Sequence, residues 1–187
     1  MTAPDDIDLT FLPVTTDRIA DFETFFGASG SPNYCWCMAW RPMPSQLRSA
    51  KGPVKKAMML ERIEAGEPVG LLAYHGGAVV GWVSIAPRDT YRPLGGPKAA
   101  ADENVWSLAC MFLKRGIRSH GAASRLVSAA IEYASAEGAT IVEAYPVEPD
   151  SPSYRFMGLV PSFERLGFTF HGMAGTRRHV MRFDLAP

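Results

Sequence analysis

The sequence lacks the features that mark several large classes of protein. Only three of its 187 residues are cysteine, too few for the disulfide framework of a small secreted protein. No apolar run approaches the ~18 residues that a membrane-spanning helix needs, and the acidic N-terminus, MTAPDDID, has no signal-peptide core. Basic and acidic residues balance at 19 each, so there is no excess of positive charge for binding nucleic acid. We therefore expect a cytoplasmic protein that binds neither a membrane nor nucleic acid.

The composition that remains is that of an ordinary globular protein, with 47% hydrophobic and 20% charged residues. The length fits a single domain over residues 1–187. Apolar patterns predict strands at 7–14, 69–74, 79–86, 105–113, 140–145, 168–173 and 179–185, and helices at 15–26, 55–65, 119–137 and 161–166. This order predicts an α/β fold with a mixed central β-sheet flanked by helices on both faces.

The junction between the strand at 105–113 and the helix at 119–137 is the most informative stretch. A short basic, glycine-containing turn joins the two elements and leaves free backbone N–H groups at the helix start. The helix dipole adds partial positive charge there, and Arg115 and Arg118 add full charges nearby. The junction therefore predicts a site for a phosphorylated ligand.

Two motifs resemble those of the GNAT superfamily of N-acetyltransferases. The segment RSHGAA at 118–123 is similar to the acyl-CoA pyrophosphate loop of that superfamily, and FERLGF at 163–168 resembles its C-terminal Y-E-x-x-G-F segment. The order of elements over residues 7–185 also resembles the GNAT fold. The resemblance implies a GNAT-like fold and acetyl-CoA as the co-substrate.

The resemblance also assigns the residues that would bind acetyl-CoA. The backbone of Met111, Phe112 and Leu113 would bind the pantetheine arm as though it were an added strand. Gly121 and Ala123 would let the backbone approach the phosphates closely. The complete pyrophosphate loop would comprise Arg118, Ser119, His120, Gly121, Ala122, Ala123 and Ser124.

The sequence departs from the superfamily at both of the usual acid–base positions. Phe163 stands where a tyrosine often protonates the leaving thiolate, and Ser107 stands where a glutamate often acts as the base. Ser107 could hold a water that relays a proton. Glu143 could deprotonate the amine if its strand face lines the cleft, and is structural otherwise. Tyr154 could protonate the thiolate or simply pack. These three residues are the catalytic candidates, and approximation of the two substrates could supply much of the rate.

The segment YCWCMAWR at 34–41 is dense in aromatic and sulfur side chains. Trp36 and Trp40 could stack on an acceptor, and Arg41 could bind an acceptor carboxylate. Alternatively, the segment packs as a buried plug. A metal site is not expected, because Cys35 and Cys37 have no obvious further ligands. We interpret Cys110 as an apolar filler, with an acyl-carrying nucleophile as the alternative.

These observations predict an acetyl-CoA-dependent N-acetyltransferase. It would act on a small-molecule or peptide amine by direct transfer in a ternary complex, with no covalent enzyme intermediate and no metal. The alternative is an acyl-CoA-binding sensor or interaction protein without transferase activity, which the altered Ser107 and Phe163 positions motivate. The sequence leaves open the acceptor, the preferred acyl chain length and whether the protein forms a homodimer.

Overall fold

A computed structural model of the protein describes residues 7–118 and 121–185. In these ranges, seven strands form one sheet, and four α-helices pack against it. The strands are β1 (Thr10–Pro13), β2 (Leu71–His75), β3 (Ala78–Pro87), β4 (Val105–Leu113), β5 (Ile141–Ala144), β6 (Thr169–Ala174) and β7 (Arg178–Asp184). The helices are α1 (Ile19–Gly27), α2 (Gly52–Glu64), α3 (Ala122–Ala136) and α4 (Val160–Arg165).

The strands lie in the order β1-β2-β3-β4-β5-β7-β6. Neighbouring strands are antiparallel except β4 and β5, which are parallel and are joined through α3. The predicted order of elements and the mixed sheet are both confirmed. Some boundaries differ: α1 begins at Ile19, because Thr16–Arg18 forms a 3₁₀ turn, and α2 begins at Gly52 with a proline in its first turn.

The described residues form three hydrophobic clusters, and the two largest cover the two faces of the sheet. On one face, α3 buries Leu126, Val127, Ala130 and Ala134, which share one side of the helix as their spacing predicts. Phe163 of α4 joins the same core. On the other face, α1 and α2 pack over β2 and β3, so helices flank both faces of the sheet. α3 has 15 residues, and no helix in the described ranges has the length and apolar character to cross a membrane.

The central strand β4 has an irregular middle. Its pairing with β5 ends at Leu108 and Ala144, although β4 itself continues to Leu113. Its pairing with β3 shifts at the same place, where Ser84 lies opposite Cys110 and Ile85 lies opposite Leu108. Ala109 is therefore an extra residue in β4, as in a β-bulge, which turns side chains to new directions. From Ala109 onward, one edge of β4 has no strand partner in the sheet.

The second core is rich in aromatic rings and includes Trp36 from the long segment between α1 and α2. The Trp36 ring stacks on Phe26, with centroids 5.6 Å apart, and lies 6.0 Å from the Phe22 ring. Both phenylalanines also pack against Trp82 of β3 at 5.3–5.6 Å. Trp36 is 6% exposed, so it anchors the segment to the sheet.

We expect Trp36→Ala to lower the free energy of unfolding by about 3–5 kcal/mol, because it removes a large buried ring and leaves a cavity. Chemical denaturation measures this change. Tyr34→Ala, two residues away at a side chain that is 73% exposed, is the matched control and should shift stability by about 0.5 kcal/mol or less. Equal effects of the two substitutions would contradict the anchoring role of Trp36.

Candidate active site

A cleft of about 540 Å³ opens where β4 diverges from β5. Its walls are the end of β4, the first turn of α3, and the segment that leads into α4. The described residues that line it include Met111, Phe112, Leu113, Arg118, Ala123, Ser124, Val127, Arg155, Phe156, Gly158, Leu159, Ser162, Phe163 and Leu166. Six of these are residues that the sequence assigned to acetyl-CoA. The structure therefore gathers Met111, Phe112, Leu113, Arg118, Ala123 and Ser124 around one cleft.

The turn before α3 has the geometry of a helix N-terminal anion site. Gly121 caps the helix in the left-handed conformation, with φ at 65°, and Ala122 begins the first turn. Arg118 folds back on β4, where its Nε donates a hydrogen bond to the Leu113 carbonyl at 2.8 Å. Ala122 itself is buried against the sheet. Ser119 and His120 of the predicted pyrophosphate loop lie outside the described residues.

Gly158 keeps this cleft open at its inner end. A Cβ on Gly158 would lie 2.4 Å from Phe163 Cε2 and 2.7 Å from Met111 Cε, and its φ is 95°. Only glycine lets the chain pass between these two side chains in this conformation. Phe163, at the position where a tyrosine was expected, is 1% exposed and packs edge-on against Phe168.

A second cavity, of about 290 Å³, lies between β4 and the segment that joins α1 to α2. Its described lining is Phe26, Gly30, Ser31, Pro32, Tyr34, Cys35, Cys37, Ala39, Trp40, Ser84, Tyr91, Ala109, Cys110, Met111, Phe112 and Phe156. None of these residues is Asp, Glu, Lys, Arg or His. The cavity therefore offers an apolar and aromatic surface with a few hydroxyl and thiol groups.

The two cavities meet at three residues. Met111, Phe112 and Phe156 line both of them. A ligand extended along the cleft and a second ligand in the cavity would thus come together beside the free edge of β4. This is a geometry for transfer of a group between two bound molecules.

Backbone strain is concentrated around the second cavity. In the described ranges, the non-glycine residues with positive φ are Trp36 (47°), Cys37 (57°) and Tyr154 (61°). Cys37 lines the cavity, and the Tyr154 ring lies 6.3 Å from the ring of Trp40, which also lines it. Such conformations cost about 1–3 kcal/mol each and are typical of functional sites.

The three residues predicted to bind the acceptor have different positions. Trp40 lines the cavity, and the guanidinium carbons of Arg92 and Arg178 lie 4.5 Å and 4.4 Å from the centre of its ring. Trp36 packs in the core instead. Arg41 is fully buried, so both of these residues belong to the buried plug that was the alternative interpretation.

The buried guanidinium of Arg41 is held by hydrogen bonds next to the second cavity. Its Nη1 donates to Thr90 Oγ1 at 2.7 Å, and its Nη2 donates to the Val69 carbonyl at 3.1 Å and to the Tyr91 hydroxyl at 3.2 Å. All three acceptors are neutral, and no described carboxylate pairs with Arg41. Burial raises the pKa of Tyr91 to about 12, so this phenol remains neutral.

Glu143 and Ser107 lie away from both cavities. Glu143 is fully buried; its Oε2 accepts from Arg182 Nε at 2.9 Å, and its Oε1 lies 3.3 Å from Arg88 Nη1. Tyr145 donates a hydrogen bond to the same carboxylate and lies 3.3 Å from Ser107 Oγ. Burial and the Glu143 charge both raise the pKa of the Tyr145 phenol. This placement fits the structural alternative for Glu143, as a charge that joins β5 to β7.

Tyr154 is the catalytic candidate that lies closest to the junction of the cavities. It is 36% exposed, and its ring is 6.3 Å from Phe156, which lines both cavities. On its other side it contacts Trp40 of the second cavity. Its ring therefore lies next to residues that line the two cavities.

Several residues of the second cavity were not identified from the sequence. Ser84 and Tyr91 come from β3 and the loop after it, and Phe156 comes from the segment before α4. None of these stands in a motif. The spacing of strands gives no signal for which side chains meet at a bulge, so only the tertiary structure could reveal them.

Comparison with known proteins agrees with this architecture. The model of the acetyltransferase (GNAT) family matches residues 34–168. No match was found among curated proteins. Because all the identities to solved structures given below are under 25%, these similarities show the fold alone.

An acetyltransferase of the GNAT family from Streptococcus pneumoniae has a TM-score of 0.57 and 16% identity, over 96% of this chain and 100% of its own. The ribosomal-protein-S5-alanine acetyltransferase from Vibrio fischeri has a TM-score of 0.56 and 12% identity, over 94% and 92% of the two chains. A chain of the NatC complex, solved bound to Gag peptide and CoA, has a TM-score of 0.53 and 12% identity, over 96% and 100%.

The fold, the divergence of β4 from β5, and the helix N-terminus beside it all agree with the family match. That match spans well over half of the chain. The protein therefore belongs to the acetyltransferase (GNAT) family.

Proposed function

We propose that the protein transfers the acetyl group of acetyl-CoA directly to a primary amine held in the second cavity. The observation that carries this proposal is the meeting of the two cavities at Met111, Phe112 and Phe156. Acetyl-CoA occupies the cleft, the amine occupies the cavity, and both reacting atoms lie beside the free edge of β4. Holding them together converts a bimolecular reaction into an intramolecular one.

The cleft suits acetyl-CoA in three respects. The backbone of Met111, Phe112 and Leu113 has no β5 partner and can bind the amides of the pantetheine arm as a strand would. Gly121 and the first turn of α3 offer N–H groups to the pyrophosphate, and Arg118 lies on the same wall. A backbone N–H near Phe112 polarises the thioester carbonyl. Ser119 and His120 complete the loop in this proposal.

The acceptor cavity selects for an apolar amine. Its described lining contains no carboxylate that would bind a second cationic group, so a polyamine gains little there. Trp40, Tyr34 and Phe156 present aromatic surfaces suited to a ring. We therefore infer that the acceptor is a small arylalkyl amine, or the amino end of a peptide with an aromatic residue.

For the proton transfers, Tyr154 is the proposed acid. Its ring lies beside Trp40 and Phe156, which line the cavities, whereas Ser107 and Glu143 are buried in the hydrogen-bonded cluster with Tyr145. Phe163 has no proton to donate. Membership of an acetyltransferase family favours a transferase over a binding protein without activity.

The function is tested by release of free CoA thiol from acetyl-CoA with two amines, tryptamine and spermidine. We expect turnover with tryptamine and at most a tenth of that rate with spermidine. Trp40→Ala should raise the KM for tryptamine and leave the acetyl-CoA affinity within about twofold, because the two ligands occupy different cavities. Faster turnover of spermidine would contradict the apolar acceptor, and failure to bind acetyl-CoA would refute the proposal as a whole.

We expect Arg118→Ala to weaken acetyl-CoA binding by about 1–3 kcal/mol through lost charge-assisted hydrogen bonds to phosphate. Isothermal titration calorimetry measures the change. Arg115→Ala, an exposed arginine of the same turn that does not line the described cleft, is the matched control and should bind almost normally. Unchanged affinity in the Arg118 variant would remove this residue from the phosphate site.

We expect Tyr154→Phe to lower kcat about 10²–10⁴-fold with little change in KM, since it removes a proton donor and keeps the ring that packs on Trp40. Steady-state kinetics with tryptamine gives both parameters. Tyr133→Phe, on α3 against Trp106, is a control far from the cavities. A kcat equal to that of the unmodified protein would show that Tyr154 only packs.

A further inference from the structure

Every cysteine of the chain lines the acceptor cavity. Cys35 and Cys37 come from the segment between α1 and α2, and Cys110 comes from β4 on the opposite wall. All three are free thiols, and among the described residues no group of side chains is arranged to hold a metal ion. The acetyl transfer proposed above uses none of them. The acetyl transfer thus leaves three thiols in one cavity without an assigned chemical role.

The groups around Cys37 stabilise a negative charge on its sulfur. Trp82 Nε1 donates a hydrogen bond to its sulfur at 3.1 Å. Hydrogen bonding with Cys110, the Trp82 N–H and the nearby Arg41 guanidinium lower the pKa of Cys37 to about 7, against the opposing effect of burial. Cys37 is thus a thiol of lowered pKa near a buried arginine whose hydrogen-bond acceptors are all neutral.

The other two thiols are kept protonated. Hydrogen bonding with Cys37 and burial raise the pKa of Cys110 well above its ordinary value. Burial, together with the charge of Cys37, raises the pKa of Cys35. The cavity therefore brings together Cys37, whose pKa is lowered, and Cys110, whose pKa is raised, from two of its walls. A low-pKa cysteine beside a second thiol is the arrangement of a redox-sensitive pair.

The backbone at both cysteines is irregular. Cys37 is in the left-handed conformation, with φ at 57°, in a segment with no α-helix or strand between α1 and α2. Cys110 follows the extra residue Ala109 of the β4 bulge. The bulge directs Cys110 into the cavity together with Ser84, the residue opposite it on β3.

We propose that Cys37 is a peroxide-reactive modification site, and that Cys110 resolves its oxidised form into a reversible disulfide across the acceptor cavity. The proposal concerns the thiols alone and does not depend on the identity of the amine. The bond joins the segment between α1 and α2 to β4, so it narrows the space into which the acceptor enters.

The chemistry balances in two steps. The Cys37 thiolate attacks one oxygen of hydrogen peroxide; an S–O bond forms, the O–O bond breaks, and hydroxide leaves, giving a sulfenic acid. The Cys110 sulfur then attacks the Cys37 sulfur, an S–S bond forms, and the hydroxyl leaves with the Cys110 proton as water. Peroxide is the oxidant and is reduced by two electrons. An added dithiol reduces this disulfide back to the two cysteine thiols by thiol–disulfide exchange, and the dithiol is itself oxidised to a cyclic disulfide.

The first step depends on pH because only the thiolate attacks. The titratable and charged groups around Cys37 are Cys35 and Arg41 on its own segment, Cys110 on β4, and Tyr91 in the loop after β3. With a pKa of about 7, half of Cys37 is ionised at pH 7. Its reactivity should rise as pH increases through 7 and level off near pH 8, whereas an ordinary thiol continues to gain reactivity up to about pH 9–10.

The test begins with the unmodified protein, so that it does not depend on the folding of a variant. At pH 7, iodoacetamide should alkylate Cys37 about tenfold faster than Cys35, as read by peptide mass spectrometry. Hydrogen peroxide should remove the mass of two hydrogen atoms from the intact protein and produce a Cys37–Cys110 cross-linked peptide. Dithiothreitol should restore the original mass.

Variants separate the roles of the three thiols. Cys110→Ala should stop at the sulfenic acid, which dimedone traps on Cys37. The acid should form more slowly than in the unmodified protein at pH 7, because the hydrogen bond that lowers the pKa of Cys37 is lost. Cys37→Ala should form no disulfide at the same peroxide concentration. Cys35→Ala is the matched control and should oxidise at the rate of the unmodified protein. Circular dichroism of each variant confirms that it is folded.

First alkylation at Cys35, or a disulfide that involves Cys35, would overturn the proposal. A sulfenic acid that persists on Cys37 of the unmodified protein would refute the role of Cys110. These readouts use neither acetyl-CoA nor an amine, so their failure leaves the proposed acetyl transfer standing. Conversely, failure to bind acetyl-CoA would refute the transferase and leave the thiol chemistry intact.

Discussion

The site depends on one feature of the sheet, the point at which β4 leaves β5. Pairing between the two strands stops at Leu108 and Ala144, and the extra residue Ala109 shifts the pairing with β3 at the same place. The divergence creates a free strand edge and a cleft that leads to the N-terminus of α3. The bulge turns Cys110 toward the other face, where the acceptor cavity lies. One local irregularity thus shapes both cavities.

Two buried charged clusters show how burial decides what a polar residue can do. Glu143 is held by Arg88, Arg182 and Tyr145, so its charge is neutralised and its oxygens are occupied. Arg41 is buried as completely, but its acceptors are neutral, and its charge helps to lower the pKa of the nearby Cys37 thiol. The first cluster ties strands together. The second lies next to a cavity and favours ionisation of a thiol that lines it.

Much of the architecture could be predicted from the sequence because local patterns carry it. The spacing of apolar residues predicted helix α3. The apolar run at 105–113 predicted strand β4 with the bounds that the structure has. The RSHGAA motif pointed to the cleft beside β4, and Arg118 and Ala123 of that motif line it. The acid–base residues were harder to predict from the sequence. Ser107 and Glu143 are chemically suitable, but both are buried away from the two cavities.

The sequence by itself determined the order of the strands and helices along the chain and the family, because these depend on periodicity and short motifs. The tertiary structure decided which of the aromatic and sulfur residues at 34–41 serve the core and which serve the cavity. Trp36 and Cys37 are neighbours in the chain, yet one packs beneath α1 and the other faces the cavity and Cys110. Their backbone adopts two successive left-handed conformations, and only contacts from distant strands hold it there.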